Sequence, residues 1–341
     1  MTKQKTLKTV LSVLAVLVVF VLAFGLTTRL LEPKYATDLV EGSFLRQYYK
    51  ESGNHDVIFV GDCEVYANFS PMELFRQYGI TSYIRGSSQQ LIWQSYYILE
   101  ETLQYETPKI VIYNVNAMRY SEPVSEEYNR LTIDKMKWSA QKVGIIQASM
   151  TEEETFWSYV FPILRYHSRF DKLTSEDLTY FFGGRENSYF GYQLHTGVVP
   201  VEHLPAKRPL PNYQFGDICY SYLDKMTQLC KEKGVELILI KAPSVYPYWY
   251  DEYDAQIQAY ADANGLAYYN LTTCVEQIGL DFQTDTYDAG LHLNYSGTVK
   301  LCDYFGDILV NVHGCQDHRQ QPDIAAIYEA KSSLYDQQTQ K

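Results

Sequence analysis

Three side chains in this sequence could together activate a nucleophile: Cys63, Asp288 and His292. Cys63 follows the short apolar run "VIFVGD", whereas Asp288 and His292 lie in "TYDAGLHLNYSG" near the C-terminus. A carboxylate near a histidine can hold its Nδ1–H and stabilise the imidazolium that forms when Nε2 takes a proton. A neighbouring imidazolium or helix N-terminus also lowers the pKa of a thiol. The pattern therefore predicts a Cys-His-Asp triad.

Each of these residues also has an ordinary structural explanation. A free cysteine is often a small buried hydrophobe, so Cys63 could simply fill the core. His292 could cap a helix or lie in the core, and Asp288 could form a turn before Gly290. These alternatives stay open at the level of sequence.

Donors for an oxyanion are expected where two other strands end. Gly86 follows the second predicted strand and lets the backbone approach closely, so its N–H could face a developing negative charge. The N–H of Cys63 could contribute as well. Asn116, or alternatively Asn114, ends the third predicted strand and could add a side-chain donor.

Strands and helices that alternate along the chain are predicted to position these residues. Continuous apolar runs predict strands at 56–61, 81–86, 108–116, 235–243 and 267–271. Helical spacing and terminal glycines predict helices at 71–79, 89–105, 216–233, 250–264 and about 297–312. This alternation favours a parallel sheet with helices on both faces, in which functional groups gather at the carboxyl ends of the strands.

The remaining segments divide the chain further. Residues 31–54 are predicted to form a polar, partly helical approach segment. Residues 117–215 are predicted to form an aromatic-rich insertion or cap with helical pieces at 133–163 and 174–182. The predicted domain is 31–312. Residues 313–341 predict a polar tail with a weak helix at 323–335.

The N-terminus predicts a membrane anchor over residues 1–30. Residues 9–26 carry no charge, which is close to the ~20 residues that a membrane-spanning helix needs. Lys3, Lys5 and Lys8 precede this run and place the N-terminus in the cytoplasm by the positive-inside rule. A cleaved signal peptide is the alternative, but its apolar core is usually shorter and ends at small residues. Either way, the main domain is expected outside the cytoplasm at the cell membrane.

The net charge and the cysteine spacing argue against several functions, namely nucleic-acid binding and metal or cofactor binding. After residue 29 the chain has 25 basic and 41 acidic residues, a net charge of −16, which disfavours binding to nucleic acid. The six cysteines form no C-x-x-C pair, and no His pair has ligand spacing, so we expect no metal and no cofactor. The 32 tyrosines suit a carbohydrate-binding groove as well as ordinary core packing.

Two further places could contact an anionic substrate. "RYHSRF" in the insertion brings Arg165, His167 and Arg169 close together in an otherwise acidic domain. An internal salt-bridge cluster is the alternative there. Lys241 ends the predicted strand "ELILIK" and could line the same cleft, or could be an exposed strand terminus.

Together these motifs resemble the SGNH (GDSL-type) hydrolase superfamily. The resemblance rests on "GDC" after the first strand, "RGSSQ" after the second, an Asn-bearing end of the third, and "YDAGLHLN" near the C-terminus. It is closer to the membrane-anchored extracytoplasmic branch that includes the teichoic-acid D-alanine transfer protein and polysaccharide O-acetyltransferases. It covers residues 56–116 and 216–312, not the insertion.

The resemblance implies a three-layer α/β/α sandwich with a mostly parallel, flavodoxin-like sheet. Cys63 stands where that family has a nucleophilic Ser, Gly86 matches the glycine of the second block, and His292 matches the base. The sequence departs from the family in its thiol, in the D-x-x-x-H spacing of Asp288, and in the offset position of Asn116.

The implied function is acyl transfer or ester hydrolysis on a cell-envelope polysaccharide or teichoic-acid-like polymer. A membrane protein that supplies the acyl group is the expected partner. Two alternatives remain: a non-catalytic relative that binds glycan or acts as a scaffold, and a redox role for Cys63, which needs a resolving cysteine.

Overall fold

A computed structural model describes residues 2–33, 41–51, 53, 55–123, 125–182 and 189–340. The predicted approach segment 31–54 falls partly outside these residues. Within it, a helix occupies Glu41–Glu51. The described residues carry the sheet, both groups of helices and the candidate site.

Five strands, counted over the described residues, form one parallel sheet. They are β1 (Val57–Gly61), β2 (Ser82–Gly86), β3 (Ile110–Asn114), β4 (Glu236–Lys241) and β5 (Ala267–Asn270). The sheet has the order β2-β1-β3-β4-β5, and every neighbouring pair is parallel. This is the flavodoxin-like order, whose direction of winding reverses between β1 and β3. The predicted α/β class with a parallel sheet is confirmed.

The helices of the described residues fall before, between and after these strands. In chain order they are α1 (Thr2–Leu31), α2 (Glu41–Glu51), α3 (Cys63–Asn68), α4 (Pro71–Tyr78), α5 (Ile92–Tyr105), α6 (Glu126–Ile133), α7 (Ala140–Ser149), α8 (Phe156–Val160), α9 (Ile163–Tyr166), α10 (Ser175–Phe182), α11 (Asp217–Lys233), α12 (Asp251–Asn264), α13 (Val275–Ile278), α14 (Tyr295–Asn311) and α15 (Pro322–Thr339). Short 3₁₀ turns cover Val115–Arg119, His167–Asp171 and Leu271–Thr273.

The sheet is covered on both faces, which explains its continuous apolar strands. All residues of β1, β2 and β3 are buried. Helices α4 and α14 pack together, as do α5 and α11. Because parallel crossovers are right-handed, the connection from β1 to β2 and that from β2 to β3 lie on opposite faces of this sheet order. The result is three layers.

The predicted insertion carries a small core of its own. Helices α6 to α10 fall within 117–215, and the second helical piece predicted, 174–182, corresponds to α10. The first piece is broken into α7, α8 and α9, and α6 begins before it. Their buried apolar side chains cluster against the outer side of α5 and against α2, through Leu45, Ile98, Ile133, Met136, Ile145, Ile146 and Tyr159.

The C-terminal segment packs onto the main body. Helix α15 is longer than the weak helix predicted at 323–335. The rings of Tyr328 and Phe75 stack 3.8 Å apart, and the Tyr335 hydroxyl is hydrogen-bonded to Ser70 Oγ at 2.9 Å. Two tyrosines seven residues apart are the buried side chains of a helix whose other residues are exposed or half-buried, a signal too sparse to recognise in sequence.

Helix α1 is long and apolar enough to cross a membrane. Its apolar side chains face away from the rest of the protein and are exposed through most of its length. This is consistent with a single-pass anchor, although a signal sequence has the same length and composition.

Candidate active site

The chain turns sharply into α3 at the carboxyl end of β1, and this turn places Cys63. Asp62 caps the helix by accepting a hydrogen bond from the backbone N of Glu64 at 3.2 Å, so Cys63 is the first helical residue. Its side chain is partly exposed. The position lies beside the boundary of β1 and β3, where the winding reverses and where ligands bind in sheets of this kind.

Asp288 and His292 lie in a tight loop just before α14. The backbone N of His292 donates to Asp288 Oδ1 at 2.8 Å, and its ring Nδ1 donates to Oδ2 at 2.5 Å. Both side chains are partly exposed. The carboxylate therefore holds the loop and the ring together and leaves Nε2 of His292 for another partner.

The shape of this loop depends on Gly290. It has φ +92°, and a Cβ at this position would lie 2.1 Å from Val245 Cγ2. The backbone N of Gly290 donates to Thr286 Oγ1 at 2.8 Å, which closes the loop from within. The sequence "DAG" thus provides the backbone that a D-x-x-x-H loop requires.

Asn68 ties the loop to the helix that begins at Cys63. Its Oδ1 accepts a hydrogen bond from the backbone N of Leu293 at 2.9 Å, and its Nδ2 donates to Pro243 O at 3.1 Å. Asn68 is fully buried, so these bonds are protected from water. No local pattern indicates this role, because an Asn near a helix end usually serves only its own turn.

The Cys63 thiol and the His292 ring lie close enough to shift each other's pKa values. Because Nδ1 of the ring is bonded to Asp288, Nε2 is the ring nitrogen left for the sulfur. The three residues predicted as a triad thus lie in one region of the protein, and their roles as nucleophile, base and orienting carboxylate stay a prediction.

The pKa values of the two groups are coupled. Burial raises the pKa of the Cys63 thiol, and the charges of Asp62 and Glu64 add to the rise, whereas His292 opposes it. Burial alone would lower the pKa of His292, but the ionised sulfur and the Asp288 carboxylate raise it well above its ordinary value. The thiol at rest is therefore neutral, and the ring becomes a strong proton acceptor as the sulfur ionises.

A buried ionic network supports the turn beneath Cys63. Lys241 Nζ donates to Glu64 Oε1 at 2.8 Å, and both side chains are almost completely buried. Asn114 Nδ2 donates to Glu64 Oε2 at 2.9 Å and to Asp62 Oδ1 at 3.0 Å. The sequence offered a weak signal, namely two acids flanking Cys63 with no nearby basic residue.

The residues predicted to bind an oxyanion lie next to this network. A Cβ on Gly86 would lie 3.3 Å from Asp62 O and 2.9 Å from Val65 Cγ2, so the glycine permits a close approach to the turn. Asn116 Nδ2 donates to Asp62 Oδ2 at 2.6 Å. Asn114 is held by the network, and its Oδ1 accepts from Ala242 N. The oxyanion roles of Gly86 and Asn116 stay predictions.

The cations predicted to bind substrate have internal partners. Arg165 Nε pairs with Glu126 at 2.7 Å and Arg169 Nη2 with Asp177 at 3.2 Å, as in the alternative of a salt-bridge cluster. His167 is exposed and bonds to a backbone carbonyl of its own turn.

Lys241 differs from both interpretations made for it. It is fully buried rather than exposed at a strand end, and its ammonium holds Glu64 instead of facing an open cleft. A strand-terminal lysine is buried here because a carboxylate from the neighbouring turn compensates its charge.

A second histidine lies beside the loop and was missed in the sequence. The ring of His195 stacks on Tyr287 with centroids 3.8 Å apart, and Tyr287 in turn stacks on His292 at 5.8 Å. Burial lowers the pKa of His195 to about 4, so it is neutral at pH 7. Its Nε2 is buried and has no hydrogen-bond partner among the described residues.

All six cysteines are free thiols, and they all lie within the described residues. In that part of the chain, no group of three or more His, Cys, Asp or Glu side chains has an arrangement that could hold a metal ion.

Comparisons with known proteins give distant structural similarity only. No protein-family model matches the chain, and neither does any curated protein. One similar structure is the crystal structure of a proposed acylhydrolase from Bacteroides fragilis. Its sequence identity to this chain is 12% and the TM-score is 0.38, and the alignment covers 82% of this chain and 98% of the other. A second is the crystal structure of a GDSL-like lipase from Bacteroides thetaiotaomicron, with 13% sequence identity and a TM-score of 0.36. The alignment covers 79% of this chain and 98% of the lipase chain. These values are too low to bear on activity, which must be argued from the geometry of the site.

Proposed function

We propose that this protein is an acyl-transfer or ester-hydrolysing enzyme with Cys63 as nucleophile, His292 as base and Asp288 as the residue that orients His292. One observation carries the proposal: a carboxylate holds one nitrogen of the His292 ring, and this ring and the Cys63 thiol are close enough to shift each other's pKa values. The same order of groups activates nucleophiles in enzymes of unrelated folds.

The reaction begins when the sulfur attacks the carbonyl carbon of an ester and His292 Nε2 takes the thiol proton. A tetrahedral oxyanion forms and then collapses, which breaks the bond to the leaving oxygen. His292 returns the proton to that oxygen, and the alcohol departs. A thioester on Cys63 remains. Water or a second hydroxyl, deprotonated by His292, then attacks the thioester and regenerates the thiol.

The oxyanion is stabilised in this proposal by the backbone N–H groups of Cys63 and Gly86. Asn116 would act indirectly, by fixing the Asp62 turn through its bond to that carboxylate. Loss of one oxyanion donor typically costs about 2.7–4 kcal/mol of transition-state stabilisation.

The substrate we propose is a cell-envelope glycopolymer, reached from outside the cytoplasmic membrane. Helix α1 supports this location because it could anchor the chain, and three lysines precede its apolar run. A polysaccharide or teichoic-acid-like polymer offers many hydroxyls as acyl donors or acceptors. A membrane protein that supplies the acyl group would be the partner.

An activated ester tests the triad. The full-length protein is incubated with p-nitrophenyl acetate, and the acetylated residue is located by mass spectrometry. We expect an acetyl group on Cys63, loss of labelling in Cys63→Ala, and unchanged labelling in Cys274→Ala. Cys274 is a matched control because it is also a partly exposed free thiol. Labelling that persists unchanged in Cys63→Ala would contradict the assignment.

The raised pKa of the Cys63 thiol favours a second candidate, a non-catalytic site that binds glycan. In that case the acetylation rate at Cys63 would not respond to His292→Ala, and no turnover would follow the first labelling event. A rate that depends on His292 supports the enzyme instead.

A further inference from the structure

Six large apolar side chains are exposed on one short part of the insertion. They lie on α8, α9, α10 and the turn between them, and their exposed fractions range from 43% to 82%: Trp157, Phe161, Leu164, Phe170, Leu178 and Phe182. We call this set the apolar platform. A water-facing surface rarely collects so many large apolar groups within 26 residues unless something covers them.

The platform adjoins the end of α1. Helices α9 and α10 and the 3₁₀ turn His167–Asp171 all contact α1. Arg169 Nη1 donates to Leu31 O at 2.5 Å, and Arg29 Nη2 donates to Phe181 O at 3.3 Å. The guanidinium of Arg29 also lies 5.4 Å from the centre of the Phe181 ring. These bonds hold the part of the platform on α9, α10 and the 3₁₀ turn at the last turn of the helix, and α8 packs against α9.

The last turn of α1, where these bonds are made, lies at the depth of the headgroup layer if α1 spans a bilayer. The apolar run of α1 ends at Leu26, five residues before Leu31. At 1.5 Å per residue, Leu31 lies about 7.5 Å beyond the apolar run. The headgroup region adds about 5–7.5 Å to each side of the ~30 Å hydrocarbon core. The segments bonded to residues 29 and 31 are therefore at the membrane surface if α1 spans the membrane.

The chemistry of the platform suits that layer. Trp is enriched where the hydrocarbon meets the headgroups, which suits Trp157. Phe and Leu, the other residue types of the platform, join Trp on the apolar face of helices that lie in the membrane interface. The rings of Trp157 and Phe161 stack 6.1 Å apart, and Phe182 follows Leu178 by one helical turn on α10. Short segments with one exposed apolar side lie in the membrane plane with that side buried in the interface.

We propose that the apolar platform inserts into the outer interface of the lipid bilayer beside α1, so that the chain is held to the membrane by two elements. A second copy of the chain or an integral membrane protein could also cover an apolar surface. The bilayer is the better occupant because α1 already brings the platform to it and no other component is needed. The proposal rests on α1 as a membrane helix and is independent of the chemistry at Cys63.

Fluorescence quenching by lipid tests the proposal. The full chain is reconstituted into vesicles of phosphatidylcholine and phosphatidylglycerol, with or without brominated acyl chains, and no other protein. We expect brominated lipid to quench tryptophan emission, Trp157→Phe to lose most of the quenchable component, and Trp249→Phe to keep it. Trp249 is the control because it is packed against the core near the candidate site.

A second set of variants tests the platform without removing the probe. Phe170→Glu/Phe182→Glu changes side chains that are 72% and 82% exposed, so folding should be preserved. We expect this variant to reduce quenching of Trp157 and to shift its emission to longer wavelength. Val312→Glu is the matched control, since Val312 is 68% exposed at the far end of α14.

Equal quenching in the wild type and in Trp157→Phe would overturn the proposal. The proposal would also be overturned if Trp157 were unquenched in these vesicles but became protected from solvent when a second copy or another membrane protein was cross-linked at the platform. A change in esterase activity is neither expected nor needed, so the outcome does not depend on that of the labelling experiment.

Discussion

Asp288 accepts two hydrogen bonds from one residue, His292: the backbone N donates to Oδ1 at 2.8 Å and ring Nδ1 to Oδ2 at 2.5 Å. The four-residue spacing allows both bonds because Ala289 and Gly290 have positive φ angles, +59° and +92°, which turn the chain back on itself. One carboxylate thus sets the shape of the loop and the tautomer of the ring.

Replacing Asp288 by Asn should therefore impair acylation strongly. The amide can still accept the backbone bond, but it presents an N–H to Nδ1 and favours the wrong tautomer of His292. We expect the single-turnover rate of acetylation at Cys63 to fall on the order of 10⁴-fold. Asp307→Asn, at an exposed position of α14, is the control and should react at the wild-type rate. A similar rate in both variants would contradict the role of Asp288.

The pH dependence of acetylation should follow the raised pKa of the thiol. Burial and the two nearby carboxylates keep Cys63 neutral near pH 7, so the rate should increase with pH into the alkaline range. His292→Ala removes a group that opposes this shift. The apparent pKa of the thiol should then rise further, and the rate at pH 7 should fall. Rates measured from pH 6 to 10 check this, with His313→Ala as control; superimposable profiles for wild type and His292→Ala would refute it.

Lys241→Met should destabilise the protein substantially. It leaves Glu64 buried and charged without its cation, a change that typically costs about 3–5 kcal/mol. Adding Glu64→Gln should recover part of the loss, because the uncompensated charge disappears. Urea unfolding of the full chain in mild detergent measures both. Lys109→Met, whose pair with Asp56 is half-exposed, should cost no more than about 1 kcal/mol. Equal losses for the two lysines would show that burial of the pair does not matter.

Gly290→Ala should disturb the loop that carries Asp288 and His292, and the cost should exceed that of the backbone conformation of Gly290 alone. Gly265 also has a positive φ, +66°, but a Cβ there would meet nothing within 4 Å, so Gly265→Ala measures the conformational cost, about 1–2 kcal/mol. At Gly290 the added carbon would lie 2.7 Å from Val201 Cγ2 as well as close to Val245. We expect greater loss of stability and a slower acetylation rate for Gly290→Ala only. Matching rates in the two variants would mean that the loop tolerates the shift.

Much of the fold was accessible from local patterns. Strands β1, β3 and β4 were recognised because each is mainly a continuous apolar run, as expected where both faces of a parallel sheet are covered. Helix α4 was marked by Pro71 at its start and Gly79 at its end. Helix α15 was underestimated, because only Tyr328 and Tyr335 are buried while its other apolar residues are exposed or half-buried. Lys241 was misjudged because a strand-terminal lysine is normally exposed.

The sequence by itself determined the apolar length of α1, the parallel α/β class and the chemistry available at Cys63, Asp288 and His292, since each of these is encoded in a short stretch of chain. Only the tertiary structure decided which residues meet. Asn68 reaches Leu293 across 225 positions, Lys241 reaches Glu64 across 177, and the insertion returns to Leu31. Such contacts arise from the order of strands and the packing of helices, which bring distant segments together through burial that no local pattern specifies.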